Sequence, residues 1–489
     1  MTAAHAPGAL CGAGGNWPRS RLQAAAHALA QRLRTAGARV LATLLDNGPA
    51  WVIADAAAAE AAIVHVPLPL FFTPAQIAHA LRAAGVDTLL VSAPLAAQWP
   101  DVQMQPCPLA GEALALLSLR AEPVAMPPGT AKITFTSGTT GAPKGVCLTS
   151  AALQAVTQGL LQAMAPLDLQ SHLCALPLPV LLENVAGLAT AFAQGARCIV
   201  LPLQQLGWSG SSELDVARFD AALREHRPHS IIVLPQMLRA WTAWLQQRHM
   251  RAPDSLKLVA VGGAAVGART IDAARARGVP AYEGYGLSEG ASVQTLNLPG
   301  ADRPGTVGRV LPHAQLRVAD DGELLVAGAL FAGYLGEAEA PPHWWPTGDL
   351  GLIDDEGYVH VRGRKKHVLI TAFGRNVSPE WVETALRGEP ALAQAAVFGD
   401  GAPALGAVLW PHHAALPDAA LQAAVDAANA TLPDYARVRH WVRARAEFSA
   451  KGGMATANGR PQRAAIWQRH ADALAEPEPD PPTVRSLIA

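Results

Sequence analysis

Apolar residues in this chain follow two alternating patterns: short, mainly apolar runs, and longer stretches in which they recur at helical spacing. The runs include residues 40–45 (Val-Leu-Ala-Thr-Leu-Leu), 63–67, 88–92, 197–201, 230–234 and 256–261, each reading as a strand buried on both faces. Between them the spacing predicts helices, one over about 48–60 and one beginning near Thr73 with Pro74 at its first position. Short apolar strands separated by helices imply parallel sheets covered on both sides. After about Gly305 the pattern tightens. Residues 315–318, 322–326 and 351–361 read as short strands, with turns at Asp320-Asp-Gly322 and Asp354-Asp-Glu-Gly357, which predicts an antiparallel subdomain. Past Arg364 helix and strand mix again to about Arg463. Glu476-Pro-Glu-Pro-Asp-Pro-Pro482 then marks an acidic, proline-rich tail expected to be disordered.

Composition narrows the class. Half of the 489 residues are apolar and 16% are charged, the balance of a well-buried globule. A net charge of −1 creates no global field toward nucleic acid or an anionic membrane; local basic clusters stay open, and nucleic acid is not an expected partner. The five cysteines are scattered and form no CxxC pair, which argues against a disulfide framework or a zinc site and for a reducing compartment. Residues 1–20 lack an apolar core of signal-peptide length, and Asp55 and Glu60 interrupt the alanine-rich stretch 54–62. The expectation is a soluble cytoplasmic protein with no integral membrane segment.

One segment carries recognisable chemistry. Residues 132–136 read as a strand, and the loop leaving it is Ser137-Gly-Thr-Thr-Gly-Ala-Pro-Lys-Gly145. Gly138, Gly141 and Gly145 let the backbone approach a polyanion. Thr136, Ser137, Thr139 and Thr140 add hydroxyl donors, and Lys144 adds a mobile charge. An ordinary solvated turn contains the same residue types, but not so many of them ending on one basic residue. The spacing does not satisfy the GxxxxGK[ST] pattern of Walker ATPases. The loop reads as a phosphate site of another kind.

That loop resembles the signature of the adenylate-forming superfamily of acyl-CoA synthetases, peptide-synthetase adenylation domains and luciferases. Further motifs follow in the family's order. Tyr282-Glu-Gly-Tyr-Gly-Leu-Ser-Glu289 resembles its second hallmark; Glu283, Gly284, Tyr285 and Gly286 would line the adenine pocket, Ser288 would contact phosphate and Glu289 would hold Mg²⁺. Ser288 equally suits a helix N-cap. Gly262-Gly-Ala-Ala265 resembles the turn under the adenine ring, placing Gly263, Ala264 and Ala265 there. Trp345-Pro-Thr-Gly-Asp349 is similar to the motif whose aspartate grips the ribose hydroxyls, and seen alone Asp349 would read as a hairpin aspartate. Gly363-Arg-Lys-Lys366 places Arg364 at a second ribose contact and Lys366 at the hinge of the C-terminal domain, although Arg-Lys-Lys also suits a solvated face. Gly374-Arg-Asn-Val-Ser-Pro-Glu380 resembles the long-chain fatty acyl branch.

Two positions depart from the family. Asn458-Gly-Arg460-Pro-Gln-Arg463 puts Arg460 where a lysine usually bridges acyl carboxylate and ribose, and a guanidinium fork differs in shape and bulk from an ammonium; Lys451 lies close in sequence. Leu176-Pro-Leu-Pro-Val-Leu-Leu-Glu183 resembles an acyl-side segment with Val180 in place of a histidine, so Val180, Leu181 and Glu183 would border the acyl group; such a run is also ordinary core. The resemblance implies an α/β fold with a large N-terminal domain of mixed sheets layered with helices (1–364, its β-rich subdomain about 305–364). A small mobile α+β C-terminal domain (365–465) and a tail (466–489) would follow. It implies ATP and Mg²⁺ as cofactors, a carboxylic acid as substrate, and adenylation with pyrophosphate release. Transfer to coenzyme A, or to a carrier protein's phosphopantetheine, would complete the reaction. A degenerate nucleotide- or acyl-binding homologue is the non-catalytic alternative.

Overall fold

The computed structural model describes residues 9–12, 15–136, 143–209, 213–337, 339–370, 376–456 and 459–474. The chain divides into two compact units, Met1–Val361 and Arg362–Ala489.

In the first unit, among the described residues, nine strands form one sheet. In spatial order they are Arg309–Val310, Ser292–Leu296, Ala281–Leu287, Leu258–Val261, Ser230–Val233, Ser171–Leu173, Arg197–Val200, Leu10–Gly12 and Gly15–Trp17. The six from Ala281–Leu287 to Leu10–Gly12 pair in parallel, and antiparallel strands close both edges. A second sheet runs Gly333–Tyr334, Lys144–Thr149, Thr130–Thr136, Val64–Pro67, Val40–Leu44, Thr88–Ser92, Leu114–Ser118 and Gln103–Pro106. Strands predicted from apolar runs form its parallel centre; Val40–Leu44 is buried at every position, as a strand covered on both faces must be. The helix Pro74–Ala83 starts as its sequence suggests. Thr73 Oγ1 accepts from the Gln76 amide, the Gln76 side chain returns a bond to the Thr73 amide, and Pro74 opens the first turn. A four-stranded sheet is formed by Ala314–Val318, Glu323–Gly328, Trp345–Ile353 and Val359–Arg364.

In the second unit a three-stranded sheet (Leu392–Phe398, Leu405–Pro411, Val438–Arg443) carries helices Pro379–Arg387 and Asp418–Asn429 over one core, built on Val382, Leu386, Leu421 and Val425. Helix Arg463–Leu474 covers a separate cluster with Val408, Phe448 and Met454. This helix corrects the expected tail boundary at 466: Ile466, His470 and Leu474, at i, i+4 and i+8, are all buried and make one packed stripe. Residues 475–489 lie outside the described residues. No helix among the described residues is long and apolar enough to cross a membrane.

Two short strands and a π-helix are among the elements that the sequence pattern did not announce. Leu10–Gly12 and Gly15–Trp17 extend the nine-stranded sheet at its edge, the former parallel to Arg197–Val200. Leu182–Ala189 is π-helical, within the segment whose leucines read as acyl pocket or core.

Candidate active site

The predicted phosphate loop lies between two paired strands. Thr130–Thr136 runs antiparallel to Lys144–Thr149, with Thr136 opposite Lys144. Ser137, Gly138, Thr139, Thr140 and Gly141 lie outside the described residues; the flanking Thr136 and Lys144 are in place. Half-exposed Lys144 has its Nζ 3.7 Å from Glu337 Oε1 and 4.8 Å from the centre of the Tyr334 ring. An exposed ion pair of this kind contributes little and is readily exchanged for a phosphate oxygen. The His79 ring, 3.0 Å from the Pro143 carbonyl, steadies the loop's exit.

The strand Ala281–Leu287 organises the rest. Its parallel neighbours Ser230–Val233 and Leu258–Val261 end at the same edge, the carboxyl edge where open α/β sheets bind ligands. The turn after Leu258–Val261 exposes Gly263, Ala264 and Ala265, with Gly263 at φ +86°. Glu283 underpins that turn. Its carboxyl group is buried and accepts from the Val266 amide at 2.9 Å, and burial pushes it up to about 7 despite the amides of Val266 and Gly267. The motif residue Glu283 thus faces inward and supports the Gly263–Ala265 backbone. Gly284 packs against Leu296. Gly286, at a break in register, comes so close to Ser292 that a Cβ would lie 1.8 Å from the Ser292 carbonyl oxygen. Tyr285 donates its hydroxyl proton to Asp349 Oδ2 at 2.7 Å. Asp349 is 5% exposed and sits on strand Trp345–Ile353, anchored by its amide to Thr347 Oγ1, which in turn donates to the Leu324 carbonyl. The motif aspartate is therefore fixed by the four-stranded sheet and aimed by a motif tyrosine.

Beyond Leu287 the chain makes a short 3₁₀ turn, Ser288–Gly290. Ser288 does not serve as the N-cap, a position taken by Leu287. Half-buried Glu289 accepts from the Tyr334 hydroxyl at Oε1, 2.7 Å away, and its backbone carbonyl accepts from the Phe331 amide at 2.7 Å. Its Oε2 has no partner among the described residues. A carboxylate with one oxygen held and one open fits a hard divalent cation. Lys144, Tyr334 and Glu289 thus come together from three separate segments.

The acyl-side residues divide. Val180 is half-buried, while Leu181 is 7% exposed and packs in the core with Val185, Leu258 and Val293. Glu183 is fully buried: Oε1 pairs with His172 Nε2 at 2.8 Å and Oε2 accepts from the Leu176 amide at 2.9 Å, while His172 Nδ1 meets Ser230 Oγ at 3.0 Å. Cys174 adds a thiol to this group, whose donor atoms lie within 4.8 Å of one another. Burial and the neighbouring Glu183 raise the Cys174 thiol well above its ordinary range. Glu183 acts here as an internal tie between the π-helical segment and the sheet. Half-buried Leu182, beside Gly262, is the side chain of this segment that reaches the Gly263 turn, and the sequence reading did not single it out.

A second internal tie was also missed. Lys132, on the strand entering the phosphate loop, places Nζ 2.8 Å from Asp55 Oδ1 and 2.5 Å from Asn184 Oδ1. Asp55 also takes His65 Nδ1 at 2.6 Å. Burial alone would raise the Asp55 carboxyl, but Lys132 and His65 hold it well below its ordinary range. No single-residue motif signals this network.

Within the second unit, Arg364 is half-buried. Exposed Lys366 has its ammonium lowered by partial burial and by the Arg364 guanidinium. Arg460 is exposed in a tight turn closed by its amide to Thr456 Oγ1 and its carbonyl from the Thr456 amide. Three residues on, Arg463 Nη2 grips both Glu383 oxygens at 2.6 and 2.7 Å, and Nη1 lies 3.0 Å from Glu380 Oε1, which also takes His367 Nδ1 at 2.6 Å. Burial works against the Glu380 charge, but His367 and Arg463 bring its carboxyl down to about 2. One arginine thus ties the Arg460 turn to the Lys365–His367 segment.

The chain resembles known proteins over both units. The sequence model described as AMP-binding enzyme matches residues 7–335, and that described as AMP-binding enzyme C-terminal domain matches residues 366–476. A long-chain-fatty-acid–CoA ligase of Mycobacterium bovis is 43% identical over 154 residues, which cover 30% of this chain and 26% of that protein. A 2-succinylbenzoate–CoA ligase of Bacillus velezensis is 31% identical over 306 residues, 58% of either chain. The chain thus spans from about a quarter to just over half the length of these relatives. Among solved structures, the o-succinylbenzoate CoA synthetase of Bacillus subtilis, in complex with its acyl-adenylate intermediate, shares the fold. Its TM-score is 0.74 at 22% identity, over 93% of this chain and 94% of that one. With one family model spanning most of the first unit and its C-terminal companion most of the second, this chain belongs to the AMP-binding enzyme family.

Proposed function

We propose that this protein joins a carboxylic acid to a thiol at the expense of ATP, in two half-reactions. In the first, the substrate carboxylate attacks the α-phosphorus of ATP, giving acyl-AMP and expelling pyrophosphate. In the second, the thiol of coenzyme A attacks the acyl carbon and AMP leaves. The observation that carries this reading is the meeting of Lys144 and Glu289 on Tyr334, at the edge where Tyr285 also aims Asp349.

Each residue has a task that its surroundings suit. Lys144 and the hydroxyl-rich loop from Thr136 offset the charge of the β- and γ-phosphates. Glu289 holds Mg²⁺, which when bound withdraws charge from the phosphate oxygens. Asp349 accepts from the ribose hydroxyls, with Arg364 as a second ribose contact, so that carboxylate and phosphorus are held in line. The turn at Gly263–Ala265, kept rigid by Glu283, carries the adenine ring. Lys366 is the hinge preceding thiol transfer, and Arg460 supplies positive charge for the acyl carboxylate. The acid is a medium or long aliphatic one: Val180 and Leu182 offer apolar surface, and the 43% identical stretch belongs to a fatty acid ligase.

Pyrophosphate release measured across a panel of fatty and aryl acids, with and without coenzyme A, tests the proposal. Acid-dependent pyrophosphate and AMP, with thioester only when coenzyme A is present, is the expected result. Preference for aryl acids would refute the aliphatic assignment alone. Tight ATP binding without pyrophosphate from any acid would refute the enzymatic reading, and acid-independent phosphate release would replace it with hydrolysis.

A further inference from the structure

We infer that Tyr334 is a positioning residue for both charged groups of the site, its hydroxyl setting Glu289 as a cation ligand and its ring seating Lys144. This rests on the reading of Glu289 as the metal carboxylate. Tyr334 lies on the two-residue strand Gly333–Tyr334, which pairs with Lys144–Thr149 so that Tyr334 is opposite Val146, two residues from Lys144. The ladder therefore holds the phenol beside the lysine whatever the lysine side chain does. The ring is wedged edge-on against Phe331 and Trp345, with centroids 5.0 and 5.9 Å away, and those two rings meet at 4.8 Å. Three interlocked aromatic rings leave the hydroxyl little room to swing.

The segment around Tyr334 grips Glu289 twice. The Phe331 amide holds its backbone carbonyl, and the Tyr334 hydroxyl holds Oε1. A neutral donor leaves the carboxylate its charge. It also fixes the plane of the group, so that Oε2 is presented in one direction. A divalent cation then meets an oxygen already oriented, with less side-chain freedom to remove on binding. Lys144 also rides over the electron-rich face of the same ring. A change in Tyr334 therefore reaches the cation site and the phosphate lysine separately, through different atoms.

The two functions separate in two variants. Tyr334→Phe keeps the ring under Lys144 and removes the bond to Glu289; Tyr334→Leu removes both the ring and that bond. ATP affinity would be measured by titration calorimetry at graded Mg²⁺, on the full chain, for wild type, both variants and Glu289→Gln. In wild type, ATP binding should tighten with Mg²⁺, and Glu289→Gln should abolish that tightening. For Tyr334→Phe the Mg²⁺ concentration at half-effect should rise about tenfold, the size expected for one hydrogen bond to a charged group, with affinity restored to near wild type at saturating Mg²⁺. Tyr334→Leu should also bind ATP about threefold more weakly without Mg²⁺, the loss of one exposed cation–π contact. A Tyr334→Phe curve that superimposes on wild type, or a loss that Mg²⁺ does not restore, overturns the inference. Equal Mg²⁺-free affinity in the two variants overturns the part concerning Lys144. Wild-type binding indifferent to Mg²⁺ would instead refute the metal assignment of Glu289 and leave the acid-dependent assay standing on its own.

Discussion

The buried carboxyl of Glu283 makes the stability of the first unit depend on pH in a direction opposite to that of an ordinary surface glutamate. Its pKa is raised from 4.5 to about 7, with burial as the largest cause and the Val266 and Gly267 amides acting in opposition. The folded state therefore holds the proton more tightly than the unfolded chain. The stabilisation is fully present below pH 4.5 and is lost as pH rises through about 7. The interval between those values, at about 1.4 kcal/mol per pH unit, amounts to about 3 kcal/mol. That is a large share of a typical domain's stability, so the effect should be measurable. Glu283→Gln isolates it, because the amide oxygen still accepts from the Val266 amide while the titration is removed. Urea unfolding would be followed at pH 4.5, 6 and 8 by tryptophan fluorescence, with Trp51 and Trp241 fully buried in the same unit as reporters. The wild-type stability minus that of Glu283→Gln should fall by about 3 kcal/mol between the lowest and highest pH. Taking this difference cancels every group common to both proteins. A difference that stays constant to within about 0.5 kcal/mol would mean that the Glu283 environment is wet or otherwise compensated, and the reasoning fails.

Three further outcomes follow from the same structure. Asp55→Asn should destabilise the first unit by about 3 kcal/mol in thermal or urea unfolding at neutral pH, because it strips the buried Lys132 ammonium of its counter-charge; since Asp55 is held below its ordinary value of 3.8, the difference should shrink on acidification below that value, and a pH-independent loss would contradict the ionic account. Gly187→Ala would place a Cβ 2.0 Å from Glu183 Oε1 and 2.7 Å from His172 Nε2, so the π-helical segment must shift; a loss of about 2 kcal/mol is expected, and an unchanged melting temperature would show that the His172–Glu183 tie is not rigid. Arg460→Lys should leave stability within about 0.5 kcal/mol, since Arg460 is exposed in its turn, while changing the rate of acid-dependent pyrophosphate release. A rise of about tenfold or more would mark the guanidinium as a handicap, and an unchanged rate would remove Arg460 from the first half-reaction and direct attention to Lys451.

Much of this protein was legible locally. Runs such as Val-Leu-Ala-Thr-Leu at 40–44 are mostly apolar at successive positions, a pattern that fits a doubly covered strand, and they proved to be the parallel centres of the sheets. Thr73-Pro-Ala-Gln76 encodes a helix start within four residues, because capping is a contact between near neighbours. The glycine, hydroxyl and charged residues of the motifs are likewise read without a fold. The π-helical stretch at 182–189 was not legible, since its residues are apolar around most of the turn and give no period to measure. The strands at 10–12 and 15–17 are too short and glycine-rich to stand out; they exist because the edge of the sheet offers them partners.

Residue identity and spacing by themselves determined the layered α/β architecture, the family resemblance and the candidate residues. Only the tertiary structure decided which of those side chains stay open and which hold the frame. Glu183 and Glu283 both stand in recognised motifs, yet one is tied to His172 and Leu176, and the other to Val266. Glu289 acquires its donor from Tyr334, 45 residues away, and Lys132 its counter-charge from Asp55. The reason is physical: periodicity reports how each residue meets its immediate neighbours and the solvent, whereas these pairs depend on the order in which strands are laid side by side, which sets what lies within hydrogen-bond reach.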